Sequence, residues 1–181
     1  DGHDHGDDDH DHGGDAHDHA DDEHGEDEHS GELPVFLFQS DDVILNGFEA
    51  QVAWQATDNI NVSVFGDFVR ARLKDGGDLP RTPPLRLGTQ LSYEHEALSA
   101  HLEIANFQSQ SRIADFETTT DSYTLVDLHV SYDLPFFNQS PAVYFRGQIL
   151  TDTEARVHTS FLKDLTPLAG RSLAVGIRGS F

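Results

Sequence analysis

The sequence predicts an all-β fold: an antiparallel, up-and-down segment of a transmembrane β-barrel, with a disordered His- and Asp-rich segment in front of it. Three observations lead to this prediction. Apolar and polar residues alternate with a period of two over most of the chain after residue 32, as in strands with one apolar face. The alternating stretches are long. Short and long connections between these stretches alternate along the chain.

Residues 1–32 differ in composition from the rest of the chain. They contain 15 acidic residues, eight His and no Lys or Arg, and their only apolar side chains are those of Ala16 and Ala20. Ordering the backbone costs about 1–2 kcal/mol per residue, and this segment has too little apolar surface to offset that cost. We therefore predict a disordered segment at 1–32 and a folded part at 33–181.

The folded part divides into seven predicted strands. In one of them, Leu98, Leu102 and Ile104 alternate with polar residues, and a tight turn at Glu96-Ala97 separates this strand from the one before it. Pro, Gly, Asn and Asp residues mark the other breaks. The predicted strands are 34–56, 60–74, 85–96, 98–112, 123–134, 142–151 and 172–181.

Strand length favours a membrane barrel over a soluble β-sandwich. Strands of soluble proteins are usually about 5–6 residues long, whereas a tilted strand needs about 9–11 residues to cross a bilayer. Most of the predicted strands reach that length. Alternation of short and long connections is typical of barrels with short periplasmic turns and longer outer loops. A sandwich also alternates, and it is the alternative at this point.

The period of two assigns each side chain to one face of the sheet. The residues predicted on the convex, lipid-facing side are Leu85, Leu87, Leu91, Leu98, Leu102, Ile104, Leu128, Val130, Val175 and Ile177. Those predicted on the concave, polar side are Arg86, Glu94, Glu103, Asp127 and Arg178, together with His101 and His129. Interfacial aromatic girdles are predicted to include Trp54, Tyr93, Tyr123, Tyr132 and Tyr144.

Composition excludes several classes of function. The chain has no Cys, which rules out disulfide scaffolds, thiolate zinc fingers and cysteine nucleophiles. A net charge of −22 argues against nucleic-acid binding, because phosphates are bound by clustered Lys and Arg. His158 and Ser160 lie close in sequence, but no G-x-S-x-G elbow surrounds the serine. We therefore predict no catalytic residues and no enzyme.

The acidic segment contains the candidate metal ligands. Three His-x-His pairs recur at a spacing of seven, and an acidic residue neighbours most of the imidazoles. Imidazole binds zinc, copper and nickel, and carboxylates can complete such sites. The predicted ligands are His3, His5, His10, His12, His17, His19, His24 and His29. The alternative is a solvated acidic run, which would leave the eight His unexplained.

Four stretches carry a resemblance to a known family. They are 46–51, which is similar to a G-x-E-x-E strand with Gln51 in place of the second Glu, then 79–88, 117–125 and 155–171. These stretches resemble the C-terminal barrel of TonB-dependent outer-membrane receptors. With the His-rich segment, the chain is most similar to the zinc-related branch of that family.

The resemblance implies a barrel of 22 strands, an N-terminal plug and a TonB-binding box. The chain begins at Asp1 without a Met, and we expect it to be the last seven strands, with 1–32 as part of an extracellular loop. The expected location is the outer membrane of a Gram-negative cell. The expected partners are outer-membrane lipid, a TonB-type energy-coupling protein that acts through the plug, and the barrel assembly machinery, which would recognise the terminal Phe181.

The expected function is active transport of a metal ion, zinc above all, or of a metal complex. No cofactor is required, and zinc, copper or nickel would be the bound or transported ion. The His-rich segment would capture metal rather than form the transport path. Three alternatives stay open: a haem or siderophore receptor of the same family, a barrel enzyme such as an outer-membrane lipase, and a soluble periplasmic metal-binding protein.

Overall fold

A computed structural model describes residues 40–135 and 141–179 of the chain. These residues form seven strands: β1 (Val43–Thr57), β2 (Ile60–Leu73), β3 (Arg86–His95), β4 (Leu98–Phe107), β5 (Tyr123–Asp133), β6 (Ala142–Gln148) and β7 (Ser172–Arg178). Within the described residues, no helix has the length and apolar character needed to span a membrane.

The seven strands form one antiparallel sheet in the order of the sequence, from β1 to β7. Each strand pairs with its neighbours in the chain. Within the described part of the chain, no strand contacts a strand other than its neighbours in the sheet, so β1 and β7 are the two edges of this sheet. The up-and-down order is confirmed, and the sandwich alternative is wrong because residues 40–135 and 141–179 form no second sheet across from this one.

Several predicted strand ends are wrong. The first strand begins at Val43; predicted residues 34–39 lie outside the described ranges, and so does Phe181. The fourth strand ends at Phe107 rather than 112, because the chain turns away and Gln110 forms an isolated bridge with Thr120. The sixth ends at Gln148 because Ile149 has a φ of 51°, which cannot continue a strand.

Register separates the apolar and the polar residues onto opposite faces, as predicted. Leu91 pairs with Leu102 and Leu102 pairs with Leu128, which places these three on one face. Val130, Phe145 and Val175 extend the same face to β7 through the pairings Val130–Phe145 and Phe145–Val175. The polar set lies on the other face, where Glu103 pairs with Asp127.

The apolar face is not covered by any part of the described chain. Val52 is 70% exposed, and Val175 and Ile177 are each 74% exposed. The buried apolar residues are few and mostly small: Ala71, Ala105, Tyr123, Ala142 and Ala155. The described residues therefore form a single layer without a hydrophobic core of their own, as expected for a wall that is covered by lipid.

The aromatic residues divide between the two faces. Trp54, Tyr93 and Tyr132 lie on the apolar face near the short connections, through their pairings with Val62, Ile60 and Leu98. This is the position of an interfacial girdle.

Tyr123 and Tyr144 do not fit the predicted girdle, because both lie on the polar face. Tyr123 stacks on Phe107, with ring centroids 4.7 Å apart. The ring of Tyr144 covers Gly176, where an added Cβ would lie 2.6 Å from Cζ of the tyrosine. Phe65 covers Gly88 in the same way. Rings that lie flat on a strand glycine replace the packing that the glycine lacks.

β1 and β2 extend past the rest of the sheet as a two-stranded ribbon. The pairing of β2 with β3 stops at Asp67–Arg86, whereas β2 pairs with β1 as far as Leu73. The β2–β3 connection folds back along the ribbon, where the N–H of Leu79 donates to the carbonyl of Ala71 at 3.2 Å. Residues 68–73 are thus flanked by β1 on one side and by this connection on the other.

Adjacent substitutions on β4 test the two faces. We expect Leu102→Arg in the full-length protein to lower the amount of folded barrel in outer membranes, because an Arg facing lipid at mid-height costs about 2–4 kcal/mol. Glu103→Arg, the matched control on the polar face, should assemble close to the parental level. Heat-modifiable mobility on gels measures the folded fraction. Equal folded fractions for the two variants would contradict the assignment of faces.

Candidate functional site

The predicted metal ligands lie outside the described residues. All eight belong to residues 1–32, and the structure describes the chain from residue 40. Within 40–135 and 141–179, no three His, Asp or Glu side chains are grouped to hold a metal ion. Metal binding by the His-rich segment thus stays a prediction, and the described residues offer two other features: the polar face and a cluster among the long connections.

Hydrogen bonds tie polar side chains together across the polar face. Ser63 of β2 donates from Oγ to Oε1 of Gln90 on β3 at 3.1 Å, and Gln90 donates from Nε2 to Oε2 of Glu103 on β4 at 2.8 Å. Arg86 donates from Nε to Oδ2 of Asp67 at 2.6 Å. Because these links join neighbouring strands, they hold the polar side chains in fixed positions along the wall.

Two imidazoles lie side by side on this face. His101 and His129 pair across β4 and β5, and both line a cavity of about 200 Å³ with Glu103 and Asp127. Each of these carboxylates already has a partner, since Glu103 accepts from Gln90 and Asp127 accepts from the N–H of Ile149 at 2.8 Å. This arrangement fits polar wall residues, as the sequence predicts for the two His.

The second feature lies where the three long connections meet. These connections run between β2 and β3 (74–85), β4 and β5 (108–122), and β6 and β7 (149–171). Because consecutive hairpins turn at alternate edges of an up-and-down sheet, all three emerge at the same edge. We call the group of Glu117, His158 and Lys163, with their hydrogen-bond partners, the Glu117 cluster.

The carboxylate of Glu117 joins all three connections. Oε1 accepts from the N–H of Arg81 at 2.9 Å, and Oε2 accepts from the N–H of Ala114 at 3.1 Å. Oε1 also lies 3.5 Å from Nζ of Lys163 and 3.3 Å from Nε2 of His158. The Glu117 side chain is only 8% exposed, so these contacts replace water around a buried charge.

His158 is the most buried large side chain in the described part of the protein, with 1% exposure. Its Nδ1 is 3.0 Å from Oγ1 of Thr120 and 3.4 Å from Nζ of Lys163. An ammonium can only donate, so the contact with Lys163 requires an unprotonated Nδ1. Nε2 faces Glu117 without forming a hydrogen bond, which leaves one buried ring nitrogen unsatisfied.

Burial and the charge of Lys163 both lower the pKa of His158. Burial lowers the pKa of His158 below its ordinary 6.5, the ammonium of Lys163 lowers it further, and the carboxylates of Glu117 and Asp164 offset only part of this. Burial alone would raise the pKa of Glu117, but the backbone N–H donors of Arg81 and Ala114 and the ammonium of Lys163 bring it below 4.5. The cluster therefore contains a neutral imidazole between an ammonium and a carboxylate at neutral pH.

The cluster is not predicted from the sequence, where His158 stands out only beside Ser160 and Glu117 only within a stretch that resembles the family. Contacts between residues about forty positions apart leave no periodic signal in the sequence. A usable hint is the placement of a His and a Lys five positions apart in a connection that is rich in apolar residues.

Comparison with known proteins gives two findings. Residues 8–148, more than three quarters of the chain, match the family described as TonB dependent receptor-like, beta-barrel. The fold is similar to a solved structure titled "Copper transporter OprC", with a TM-score of 0.68 and 20% sequence identity. The similarity covers 77% of this chain and 23% of that one, so the chain spans about a quarter of the length of that structure.

Removing the ammonium of the Glu117 cluster should loosen the β6–β7 connection. Lys163→Met leaves Glu117 as a buried charge without its cation, and breaking a buried pair in this way costs about 3–5 kcal/mol. The rate at which thermolysin cleaves the connection in the purified full-length protein measures this loss.

The matched control is Arg171→Met in the same connection. Arg171 pairs with Asp152, and the two side chains are 51% and 54% exposed, so the loss should stay below about 1 kcal/mol. If thermolysin cleaves both variants at the same rate, the buried cluster does not stabilise the connection.

Proposed function

Because the chain belongs to the TonB-dependent receptor-like β-barrel family, we propose that it forms the C-terminal part of an outer-membrane active transporter for a metal ion. The proposal is supported by the seven sequential strands, by an apolar face with many exposed large side chains, and by a polar face whose side chains are tied across the strands. In such a barrel the polar face lines the lumen through which the substrate moves.

The His-rich segment is the single observation that carries the choice of a metal ion. It combines eight imidazoles with 15 carboxylates in 32 residues, and this is a donor set for borderline divalent metals. The segment's strongly negative charge attracts cations from solution. We propose that the segment captures metal and raises its local concentration, and that it does not form the transport path.

Charges on the polar face also favour a cation. Three basic residues lie on that face: Arg86, Arg146 and Arg178. Six acidic residues share the face with them: Glu49, Asp67, Glu94, Glu103, Asp127 and Asp133. With His neutral, the acidic excess lowers the free energy of a cation near the wall.

Zinc is the ion that we propose first, on the resemblance of the chain to the zinc-related branch of the family. Copper is the second candidate, because a structure with the same fold is titled a copper transporter. A haem or siderophore receptor is the alternative within the family; in that case the His-rich segment would only scavenge metal. In each case energy would come from a TonB-type coupling protein in the inner membrane.

Uptake by intact cells tests whether the His-rich segment captures metal without forming part of the transport path. We expect replacement of all eight His of 1–32 by Asn in the full-length receptor to reduce uptake of radioactive zinc when zinc is scarce. Uptake should return to the parental level at abundant zinc, because a capture segment changes only the local concentration. A copper series run in parallel decides between the two ions.

Two controls make the uptake result interpretable. Receptor abundance in the outer membrane is compared by blotting, so that an assembly defect is not read as a transport defect. A variant with eight Asp of the same segment changed to Asn keeps every imidazole and should lose much less uptake. An equal loss of uptake at scarce and abundant zinc would mean that the segment is part of the path.

Binding by the isolated segment tests metal capture directly. A peptide of residues 1–32 should bind more than one zinc ion at pH 7.5, since it has eight imidazoles and one ion takes about four ligands. Affinity should fall steeply from pH 7 to 5.5 as the imidazoles gain protons. Calorimetric titration measures both. If the peptide with all eight His changed to Asn binds zinc as tightly, the acidic-run alternative is correct.

A further inference from the structure

We propose that the Glu117 cluster is an acid-released lock: at neutral pH it fastens the β6–β7 connection to the β4–β5 connection, and protonation of His158 releases it. The proposal concerns the edge of the sheet where the long connections meet. It does not depend on which ion the protein carries.

The side-chain contacts that join these two connections lie in one small region. Thr120 and Glu117 contact His158, and Glu117 and the carbonyl of Thr118 contact Nζ of Lys163. The hydroxyl of Thr118 adds a hydrogen bond to Asp164 at 2.6 Å. Because one short stretch of each connection supplies these contacts, they form and break together.

The β2–β3 connection is attached separately. Gln110 donates from Nε2 to the carbonyl of Thr82 at 3.0 Å, and this bond involves neither His158 nor Lys163. The guanidinium of Arg81 lies 3.2 Å from the ring centroid of Phe161. Because a guanidinium stays protonated between pH 8 and 4, this contact does not depend on pH in that range. Loss of the lock therefore separates the β6–β7 connection from the β4–β5 connection, while the β2–β3 connection keeps its own contacts with both.

Protonation of His158 is incompatible with the contacts in the lock. A proton on Nδ1 would point toward the ammonium of Lys163, 3.4 Å away, and would remove the lone pair that accepts from that ammonium. With His158 1% exposed and Lys163 5% exposed, no water screens the two cations. Glu117 lies next to Nε2 of His158 and to Nζ of Lys163, and its charge offsets only part of the repulsion at Nδ1.

Every charged group that faces the imidazole belongs to one of the two connections. Glu117 is on the β4–β5 connection, and Lys163 and Asp164 are on the β6–β7 connection. Arg81 of the β2–β3 connection reaches the cluster through its backbone N–H, which donates to Glu117. Protonation of the imidazole therefore acts on the contacts between these two connections.

The direction of the pH effect follows from proton binding in the two states. When the lock is open, His158 titrates near its ordinary pKa of 6.5, and in the lock its pKa is lower. Below pH 6.5 the open state binds more protons, so the lock loses stability as the pH falls toward the pKa of His158 in the lock. Glu117, whose pKa is below 4.5 in the lock, adds a loss in the same direction under still more acidic conditions.

Distances between two spin labels in the full-length receptor, purified in detergent, test the proposal. Asp115→Cys and Leu165→Cys place a label on each connection at exposed positions, and the 181-residue chain has no Cys of its own. Electron–electron resonance measurements at a series of pH values from 8 to 4 give the distance distribution. We expect one narrow distance at pH 8 and a broader, longer population that grows as the pH falls below 6.5.

Three further variants separate His158 from the rest of the cluster. His158→Gln has a side chain that does not titrate, so the narrow distance should persist down to about pH 4.5. Glu117→Gln removes the carboxylate and should give the broad population at every pH. His101→Gln is the matched control: it removes an imidazole from β4, far from the connections, and should keep the parental profile.

Two outcomes would overturn the proposal. One is a parental distance that does not change between pH 8 and 4.5. The other is a His158→Gln receptor that opens at the same pH as the parent. If His158→Gln is already open at pH 8, or does not assemble, the parental profile alone decides. Opening of the parental protein between pH 6.5 and 4.5 supports the lock. Opening only below pH 4.5 would mean that protonation of Glu117 causes it, and this would overturn the role of His158.

Discussion

The register of the backbone is the constraint on which the rest of the structure depends. Six consecutive antiparallel pairings run from β1 to β7, and each fixes which side chains of neighbouring strands share a face. The wall is one layer thick, so an error of one residue in one strand would turn apolar side chains toward the polar side. The described sheet has no hydrophobic core that would disfavour such an error. Its stability comes from backbone pairing and from the medium that covers the apolar face.

Local features of the sequence predicted the wall, because the period of two is itself local. Leu102 and Glu103 are neighbours in the chain, and their opposite faces follow from the pleat alone. The aromatic residues show the limit of residue type as a guide. Tyr144 was assigned to a girdle because it is a tyrosine, although its even position in β6 places it on the polar face with Arg146. Tyr144 lies there because Gly176 on the next strand leaves room for its ring.

The Glu117 cluster was beyond prediction for a different reason. Arg81 and Glu117 are 36 residues apart in sequence, and they meet only because the sheet brings their connections to one edge. The strand ends at that edge were also misjudged, since an isolated bridge such as Gln110–Thr120 depends on how the connection folds back. Buried charge networks contribute little net stability, but their geometry is demanding. Here one carboxylate contacts residues of all three long connections.

The ribbon formed by the far halves of β1 and β2 has a mechanical consequence. Beyond Asp67, β2 no longer pairs with β3, and the β2–β3 connection lies along its side instead. Two-stranded ribbons bend and twist more easily than wider sheets. The stiffness of this part of the wall therefore depends on the connection, which is tied to β2 by the bridge of Arg72 with Asp78 and by the ion pair of Arg70 with Asp78, 2.9 Å long.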